Sequence, residues 1–243
     1  MVEELATTSE SDPLALWRIP LDRETEVDED WLSDEEKSFA TGFRDVLLRG
    51  RFLAARRGVR RVLAGETGVR PREIGFANGE HGKPYVSDPR NGPEFNLTHT
   101  ENVALLAVSR CGPVGLDIEN VHRKTDIEHL APRVMTEREH EAFVAIKAQN
   151  RRRAFFHLWT AKEALMKVTG LGLGLDPRKF EKDPLLAISD RVRFHSDDPR
   201  LVASEWGGWR ILSGDPYVGF LALSAGFSAK IPEVRDLPAL VKA

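Results

Sequence analysis

Two short segments contain carboxylate side chains at informative spacing, and the second also contains lysines. Carboxylates can bind a hard cation, and lysines can bind a phosphate. In segment 114–120 (VGLDIEN), Asp117 and Glu119 lie two residues apart, which places both carboxylates on one face of an extended strand. In segment 155–167 (FFHLWTAKEALMK), predicted to be helical, Glu163 precedes Lys167 by one turn. Three carboxylates from a strand and a helix suit Mg²⁺, and a neighbouring lysine could neutralise a phosphate leaving group.

Each segment also fits an ordinary structural role. The alternation in 114–120 is typical of a half-buried strand with one solvated face. The spacing of Glu163 and Lys167 is that of a common surface salt bridge. However, Phe156 and Trp159 lie on the same side of the predicted helix as Glu163, which is less typical of an exposed carboxylate.

Cationic and polar residues outside these segments are further candidates. His99 follows Thr98 in FNLTHT, and the absence of a second histidine at ligand spacing makes a zinc site less favoured than a histidine satisfied by the backbone. Lys83 precedes Pro84 in a turn-rich loop that would direct the lysine outward. Arg51 lies toward the apolar side of its predicted helix, where a cation requires a ligand phosphate or a buried aspartate.

Composition limits the class of protein. The chain has 243 residues, 41% hydrophobic, enough for one large domain or two smaller ones. The net charge of −3 gives no overall bias toward nucleic acid, and the basic stretch 44–61 contains only Phe52 as an interleaved aromatic. Cys111 is the only cysteine, so neither a disulfide framework nor a cysteine zinc site is expected. With no signal-like or membrane-length apolar stretch, we expect a cytoplasmic protein with a flexible tail at 1–12.

Hydrophobic periodicity and turn residues predict an α+β chain. Ser33 begins a capping-box helix with Glu36, and the next helix is predicted to end at Gly65 and Gly68. The predicted strands are 13–19, 73–77, 95–97, 104–109, 114–118 and the segments VRFHS, WRILS and YVGFLALSA; the other predicted helices are 48–63, 126–147 and 151–168.

In these motifs the chain resembles the 4′-phosphopantetheinyl transferases of the surfactin-synthetase-activating (Sfp) type. The matching segments follow in family order: RFLAARRGVRRVL, GKPY, FNLTHT, VGLDIEN, FFHLWTAKEALMK and GLGLGL, roughly residues 51–175. The pair G-(I/V/L)-D-(I/V)-E and W-(S/T)-x-K-E-(A/S)-x-x-K, about forty residues apart, is the specific part of the match. Thr98 replaces a common serine and keeps its hydroxyl, while Asn120 stands where the family often has a basic residue.

The resemblance implies transfer of the 4′-phosphopantetheine arm of coenzyme A (CoA) to a serine hydroxyl of an acyl or peptidyl carrier protein, releasing 3′,5′-ADP. By the resemblance, the metal ligands for Mg²⁺ (or Mn²⁺) are Asp117, Glu119 and Glu163. The implied CoA-binding residues are Arg51, Lys83, Pro84, Thr98, His99, Lys162 and Lys167. Glu163 is the candidate general base, and Lys167 is the candidate catalytic cation at the pyrophosphate.

The resemblance also implies a monomer of two similar α/β halves, 13–112 and 113–243, related by a pseudo-twofold with CoA in the cleft between them. The carrier partner is expected to be acidic, which makes the basic segment 133–153 a candidate docking surface. We therefore expect replacement of Arg151–Arg153 by alanine to raise KM for the carrier without changing CoA binding.

Two other functions use the same residues. A Mg²⁺-dependent phosphohydrolase acting on a CoA-like or nucleotide-like substrate would employ the carboxylates with water as the nucleophile. A non-catalytic module that binds CoA or a carrier would need neither the three carboxylates nor both lysines. The motif set favours the transferase over both.

Overall fold

A computed structural model describes residues 13–22, 31–87, 92–183, 185, 191–202, 206–212, 214–224 and 232–237. The tail predicted at 1–12 lies outside these residues. The described chain divides into two compact units. The first unit contains the residues up to Ala77, then Pro84–Arg110 and the segment that begins at Pro232; the second contains Asn78–Lys83 and the residues from Cys111 to Ser224. The predicted halves differ from these units in three places, since 78–83, 111–112 and 232–237 each group with the other half.

Eleven strands and six helices lie in the described residues. In chain order they are β1 (Leu14–Pro20), α1 (Asp34–Thr41), α2 (Val46–Thr67), β2 (Phe76–Asn78), β3 (Pro84–Val86), β4 (Glu94–Thr100), β5 (Val103–Ser109), β6 (Val114–Asn120), α3 (Ile127–Val134), α4 (Glu137–Ala145), α5 (Ala148–Thr169), β7 (Phe180–Asp183), β8 (Arg191–Ser196), α6 (Pro199–Val202), β9 (Trp206–Leu212), β10 (Tyr217–Ser224) and β11 (Val234–Asp236). The α+β class is thereby confirmed.

The first unit packs helix α2 against a four-stranded sheet. The strand order is β11-β1-β5-β4, in which β11 runs parallel to β1 and the other pairs are antiparallel. Val59, Val62 and Leu63 of α2 are fully buried in one core cluster with Trp17 and Leu106 of the sheet. This apolar stripe at helical spacing fixes which side of α2 faces the sheet.

The second unit packs helix α5 against a five-stranded antiparallel sheet in the order β6-β10-β9-β8-β7. Ala161, Ala164 and Leu165 of α5 are fully buried in one core cluster with Phe220 and Ala222 of β10. The residues on both faces of β6 are buried, so the polar residues of this strand lie inside the unit.

The two units share a topology. In each, the first strand pairs with the last long strand, β1 with β5 and β6 with β10. Each also contains a helix of 22 residues, α2 or α5, which ends at a glycine in the left-handed region. The predicted likeness of the two halves is therefore present in their connectivity, and their pseudo-twofold relation stays a prediction.

Two predicted helix boundaries were wrong. The single helix predicted at 126–147 is two helices, α3 and α4, because Thr136 and Glu139 form a capping box that begins a new helix. Gly65 lies inside α2, which ends only at Gly68. Within the residues that the structure describes, no helix is long and apolar enough to cross a membrane.

Candidate active site

A close approach of strand β6 to helix α5 positions the candidate carboxylates. A Cβ atom on Gly115 would lie 2.0 Å from the carbonyl oxygen of Ala164 and 2.5 Å from the nitrogen of Val168. Only glycine therefore fits at this contact. Because side chains alternate along a strand, Asp117 and Glu119 share the face of Gly115 that meets α5.

Asp117 forms the central ion pair of the site. The Lys167 Nζ donates to Asp117 Oδ1 at 2.7 Å and to the Leu116 carbonyl oxygen at 3.1 Å. Burial raises the pKa of Asp117 to about 6, Lys167 opposes this shift, and the nearby charges of Glu119 and Glu163 add to it. The three carboxylates are thus close enough to repel one another.

Glu163 lies one turn before Lys167 on α5. Burial raises the pKa of Glu163, Lys167 opposes the shift, and the charge of Glu119 raises it further. Its side chain, with those of Trp159 and Met166, lines a cavity of about 410 Å³. A reacting group could reach the carboxylate through this cavity.

Glu119 is held by two donors. The Arg123 Nη1 atom lies 2.6 Å from each carboxylate oxygen of Glu119. The Trp159 indole Nε1 donates to Oε1 of the same carboxylate at 3.2 Å. Glu119 itself is 8% exposed, whereas the Arg123 side chain is 46% exposed. The buried Glu119 carboxylate therefore accepts from one half-buried side chain, Trp159, and from one exposed side chain, Arg123.

The second unit also contains the predicted phosphate ligand Lys83. Its Nζ donates to the Val114 carbonyl oxygen at 3.0 Å and to the Val168 carbonyl oxygen at 3.5 Å. Lys83 therefore lies at the junction of β6 with the last turn of α5, where a cation is favourable beside the helix carbonyls.

The remaining predicted CoA ligands belong to the first unit. Arg51 is half-buried on α2, and its Nε is buried with no hydrogen-bond partner among the described residues. On β4, Thr98 is buried and His99 is exposed, as expected of successive strand residues. Pro84 is the first residue of β3 and is half-buried. The structure brings together Asp117, Glu119, Glu163 and Lys167 in the second unit, while Arg51, Pro84, Thr98 and His99 belong to the first.

The ammonium group of Lys162, a predicted contact with CoA, has its partners inside the second unit. It is 1% exposed, and its Nζ lies 2.5 Å from Glu139 Oε2 of α4. The same Nζ donates to the carbonyl oxygens of Pro177 and Phe180 at 2.7 and 2.9 Å. Burial lowers the pKa of Lys162, and Glu139 opposes that shift. With these partners, Lys162 joins α5 to α4 and to the segment before β7.

The carboxylate set fits a divalent cation by its chemistry. All the candidate ligand atoms are carboxylate oxygens. The carboxylates repel one another, and a hard cation would neutralise their negative charge. Within the described part of the chain, however, no group of three or more His, Cys, Asp or Glu side chains is arranged as metal ligands. Lys167 pairs with Asp117, and Arg123 pairs with Glu119.

The sequence did not indicate three of these contacts. Arg123 follows Glu119 by four residues, but the turn between them is not helical, so spacing alone did not link the two. Trp159 was identified only as an apolar neighbour, although its indole N–H must find a partner when buried. Glu139 could have been found from the T-x-x-E capping pattern, yet its second role as the partner of Lys162 depends on tertiary packing.

Comparison with known proteins gives a consistent assignment. Residues 113–212, which include β6 and α5, match the family model described as the 4′-phosphopantetheinyl transferase superfamily. The chain is 38% identical over 198 residues to 4′-phosphopantetheinyl transferase HetI of Nostoc sp. (strain PCC 7120), covering 75% of this chain and 84% of HetI. It is 30% identical over 139 residues to 4′-phosphopantetheinyl transferase Sfp of Bacillus subtilis (strain 168), covering 57% of this chain and 56% of Sfp.

Among solved structures, the holo-(acyl-carrier-protein) synthase AcpS of Thermotoga maritima matches with a TM-score of 0.35 and 23% identity, over 51% of this chain and 64% of that one. The relation to HetI covers most of both chains at 38% identity. The chain therefore belongs to the 4′-phosphopantetheinyl transferase family.

Proposed function

We propose that this protein transfers the 4′-phosphopantetheine arm of CoA to a serine hydroxyl of an acyl or peptidyl carrier protein and releases 3′,5′-ADP, acting as a cytoplasmic monomer. The observation that carries the proposal is the Asp117–Lys167 pair beside Glu119 and Glu163, within the region matched by the family model. The carboxylates supply negative charge to hold a metal ion, and Lys167 supplies positive charge for the leaving oxygen. Phosphoryl transfer from a pyrophosphate needs both.

Mg²⁺ is the proposed metal, with Mn²⁺ as a substitute, and the proposed ligands are Asp117, Glu119 and Glu163. When bound, such an ion supplies positive charge to the pyrophosphate oxygens and to the departing oxygen. The buried, mutually repelling carboxylates support this assignment. Release of their partners Lys167 and Arg123 would accompany binding.

Glu163 is the proposed general base. In the transfer step the serine oxygen forms a bond to the phosphorus that bears the pantetheine arm, and the bond from that phosphorus to the bridging oxygen breaks. The serine proton passes to the Glu163 carboxylate, which lines the cavity through which the hydroxyl group would approach. Lys167, on the next turn, would face the bridging oxygen as it leaves with 3′,5′-ADP.

The 3′-phosphate and adenosine end of CoA is assigned to Arg51, Lys83, Pro84, Thr98 and His99. The buried Nε of Arg51 supports this assignment, because a guanidinium in that position can donate a hydrogen bond to an anionic oxygen. Lys162 is omitted from this set, since Glu139 and two carbonyl groups engage its ammonium.

Intact-protein mass spectrometry of an apo carrier protein tests the proposal. The carrier is incubated with this chain, CoA and Mg²⁺, beside the Glu163→Gln and Asp117→Asn variants and an EDTA control. We expect a mass gain of one phosphopantetheine arm only with wild type and metal.

Two other outcomes would contradict the proposal. CoA breakdown without carrier modification would favour a phosphohydrolase. Binding of CoA with no mass gain on several acyl and peptidyl carriers would favour a non-catalytic module. Arg70→Glu, a charge change at an exposed residue of the first unit, serves as the matched variant that should keep full activity.

A further inference from the structure

The ion pair between Arg123 and Glu119 occupies a carboxylate that the proposed function needs for a cation. A carboxylate has about four acceptor positions. Both oxygens of Glu119 accept from Arg123 at 2.6 Å, and Oε1 also accepts from Trp159 at 3.2 Å. With these three contacts Glu119 is an ion-pair partner, and it cannot offer the same positions to a metal ion.

The two donors differ in how easily they can leave. The Trp159 ring is stacked on Phe155 with centroids 6.0 Å apart and planes 18° apart, so the packing of α5 fixes its N–H. The Arg123 side chain is 46% exposed, and water can solvate its guanidinium once it turns away. The contact from Arg123 is therefore the one that can be exchanged.

The turn that carries Arg123 is held by Arg152 as well as by the Arg123 side chain, whose Nε donates to Thr125 Oγ1 at 3.0 Å. Arg152 of α5 donates to the carbonyl oxygens of Val121, Arg123 and Thr125, the last at 3.1 Å. Its guanidinium also lies over the ring of Phe156, 5.3 Å from the centroid. Rotation of the Arg123 side chain would break its contact with Thr125 but would leave the three contacts of Arg152 with this turn in place.

We propose that Arg123 is a displaceable counter-ion of Glu119: it holds the carboxylate in place until a divalent cation takes over, and so sets the affinity of the site for that cation. This inference rests on the proposed function in taking Glu119 as a ligand. It adds a positioning residue that neither the motif pattern nor the family match assigns. Arg123 holds the Glu119 carboxylate in position, and when Arg123 leaves, the charge of the metal ion takes the place of the guanidinium charge.

Direct measurement of Mn²⁺ binding to the full chain tests this. The free Mn²⁺ signal in electron paramagnetic resonance gives Kd for wild type, Arg123→Gln and Arg123→Lys without any need for turnover. We expect Arg123→Gln to bind Mn²⁺ about tenfold more tightly, the size expected for loss of one charge-assisted pair. Arg123→Lys, which keeps the charge but not the two-oxygen contact, should fall between the two.

Two controls make the effect specific. Lys124→Gln removes the same charge from the adjacent exposed residue and should leave Kd within about twofold of wild type. In a Glu119→Gln background, the Arg123→Gln substitution should no longer change Kd, because the pair is already broken.

Equal Kd values for wild type and Arg123→Gln would overturn the inference. Weaker Mn²⁺ binding by Arg123→Gln would also overturn it, because Arg123 would then support cation binding rather than compete with it. Either result alongside normal carrier modification would leave the proposed function intact. Absence of Mn²⁺ binding and of carrier modification in wild type would reject the proposed function instead.

Discussion

Two lysines on one helix, five residues apart, differ in burial and in ion-pair partner. Lys162 is fully buried and pairs with Glu139, which is itself 0% exposed. The Lys167 side chain is 29% exposed and pairs with Asp117 in the carboxylate group. Both belong to the same W-T-A-K-E-A-L-M-K motif, so the motif alone cannot distinguish the buried lysine from the one that we propose to contact the substrate.

Lys162→Met should lower the free energy of unfolding by about 3 to 5 kcal/mol, because Glu139 would remain buried without its ion-pair partner. Lys167→Met should instead lower the transfer rate by about 100-fold or more, because it removes a cation at the leaving oxygen. Urea denaturation and the rate of carrier mass gain, measured on both variants, separate the two roles.

The double variant Lys162→Met/Glu139→Gln is the control for this comparison. Removing both charges should recover a large part of the lost stability, since neither partner is then left unpaired. A folded Lys162→Met protein with normal stability and a raised KM for CoA would instead restore the CoA-binding role predicted from the motif.

At the scale of elements, the contact between β6 and α5 decides whether the site exists. The alternation of 114–120 correctly predicted that Asp117 and Glu119 share one face. It did not indicate that both faces of the strand are buried, because that depends on which helix covers the polar face. Gly115 indicates which helix covers this face, because a glycine inside a strand marks a close backbone approach, here to Ala164 and Val168 of α5.

Gly115→Ala should therefore disturb the site more than its size suggests. The added methyl would overlap the backbone of α5, at 2.0 Å from the Ala164 carbonyl oxygen. We expect a loss of about 1 to 3 kcal/mol in stability from overpacking. Since shifts of about 1 Å in catalytic groups cost about 100-fold, the transfer rate should fall by a similar factor.

Gly214→Ala is the matched control, because a Cβ at this exposed position meets nothing within 4 Å. Its stability should stay within about 0.5 kcal/mol of wild type and its transfer rate should be unchanged. Thermal unfolding with the carrier assay checks both variants, and a Gly115→Ala protein that behaves like Gly214→Ala would disprove the close-contact argument.

At the scale of the whole molecule, the sequence predicted the class, most strands and the two long helices, because each has a strong apolar period. It placed the second half at 113–243, whereas the described residues from Pro232 onward group with the first unit. The reason is β11, which pairs in parallel with β1. A three-residue edge strand has no periodic signal, and its partner lies more than 200 residues away in the chain.

The structure shows which residues of the predicted carrier-docking segment, 133–153, can be replaced to test docking. Arg151 donates to the carbonyl oxygens of Ile146 and Val144 at 2.9 and 2.7 Å, and Arg152 fixes the turn after β6. Replacing these two arginines would therefore test local folding as much as docking. Exposed cations elsewhere in 133–153, Arg133 and Lys147, make the cleaner test.

We expect the double variant Arg133→Glu/Lys147→Glu to raise KM for an acidic carrier by about tenfold and to leave KM for CoA unchanged. Two reversed charges weaken the encounter with an acidic surface, and the effect should shrink as salt shortens the Debye length to about 3 Å at 1 M. Steady-state kinetics at low and high salt provide the measurement. Arg70→Glu reverses one charge in the other unit and serves as the control. An equal rise in KM per reversed charge in that variant, or no rise in the double variant, would show that segment 133–153 does not dock the carrier.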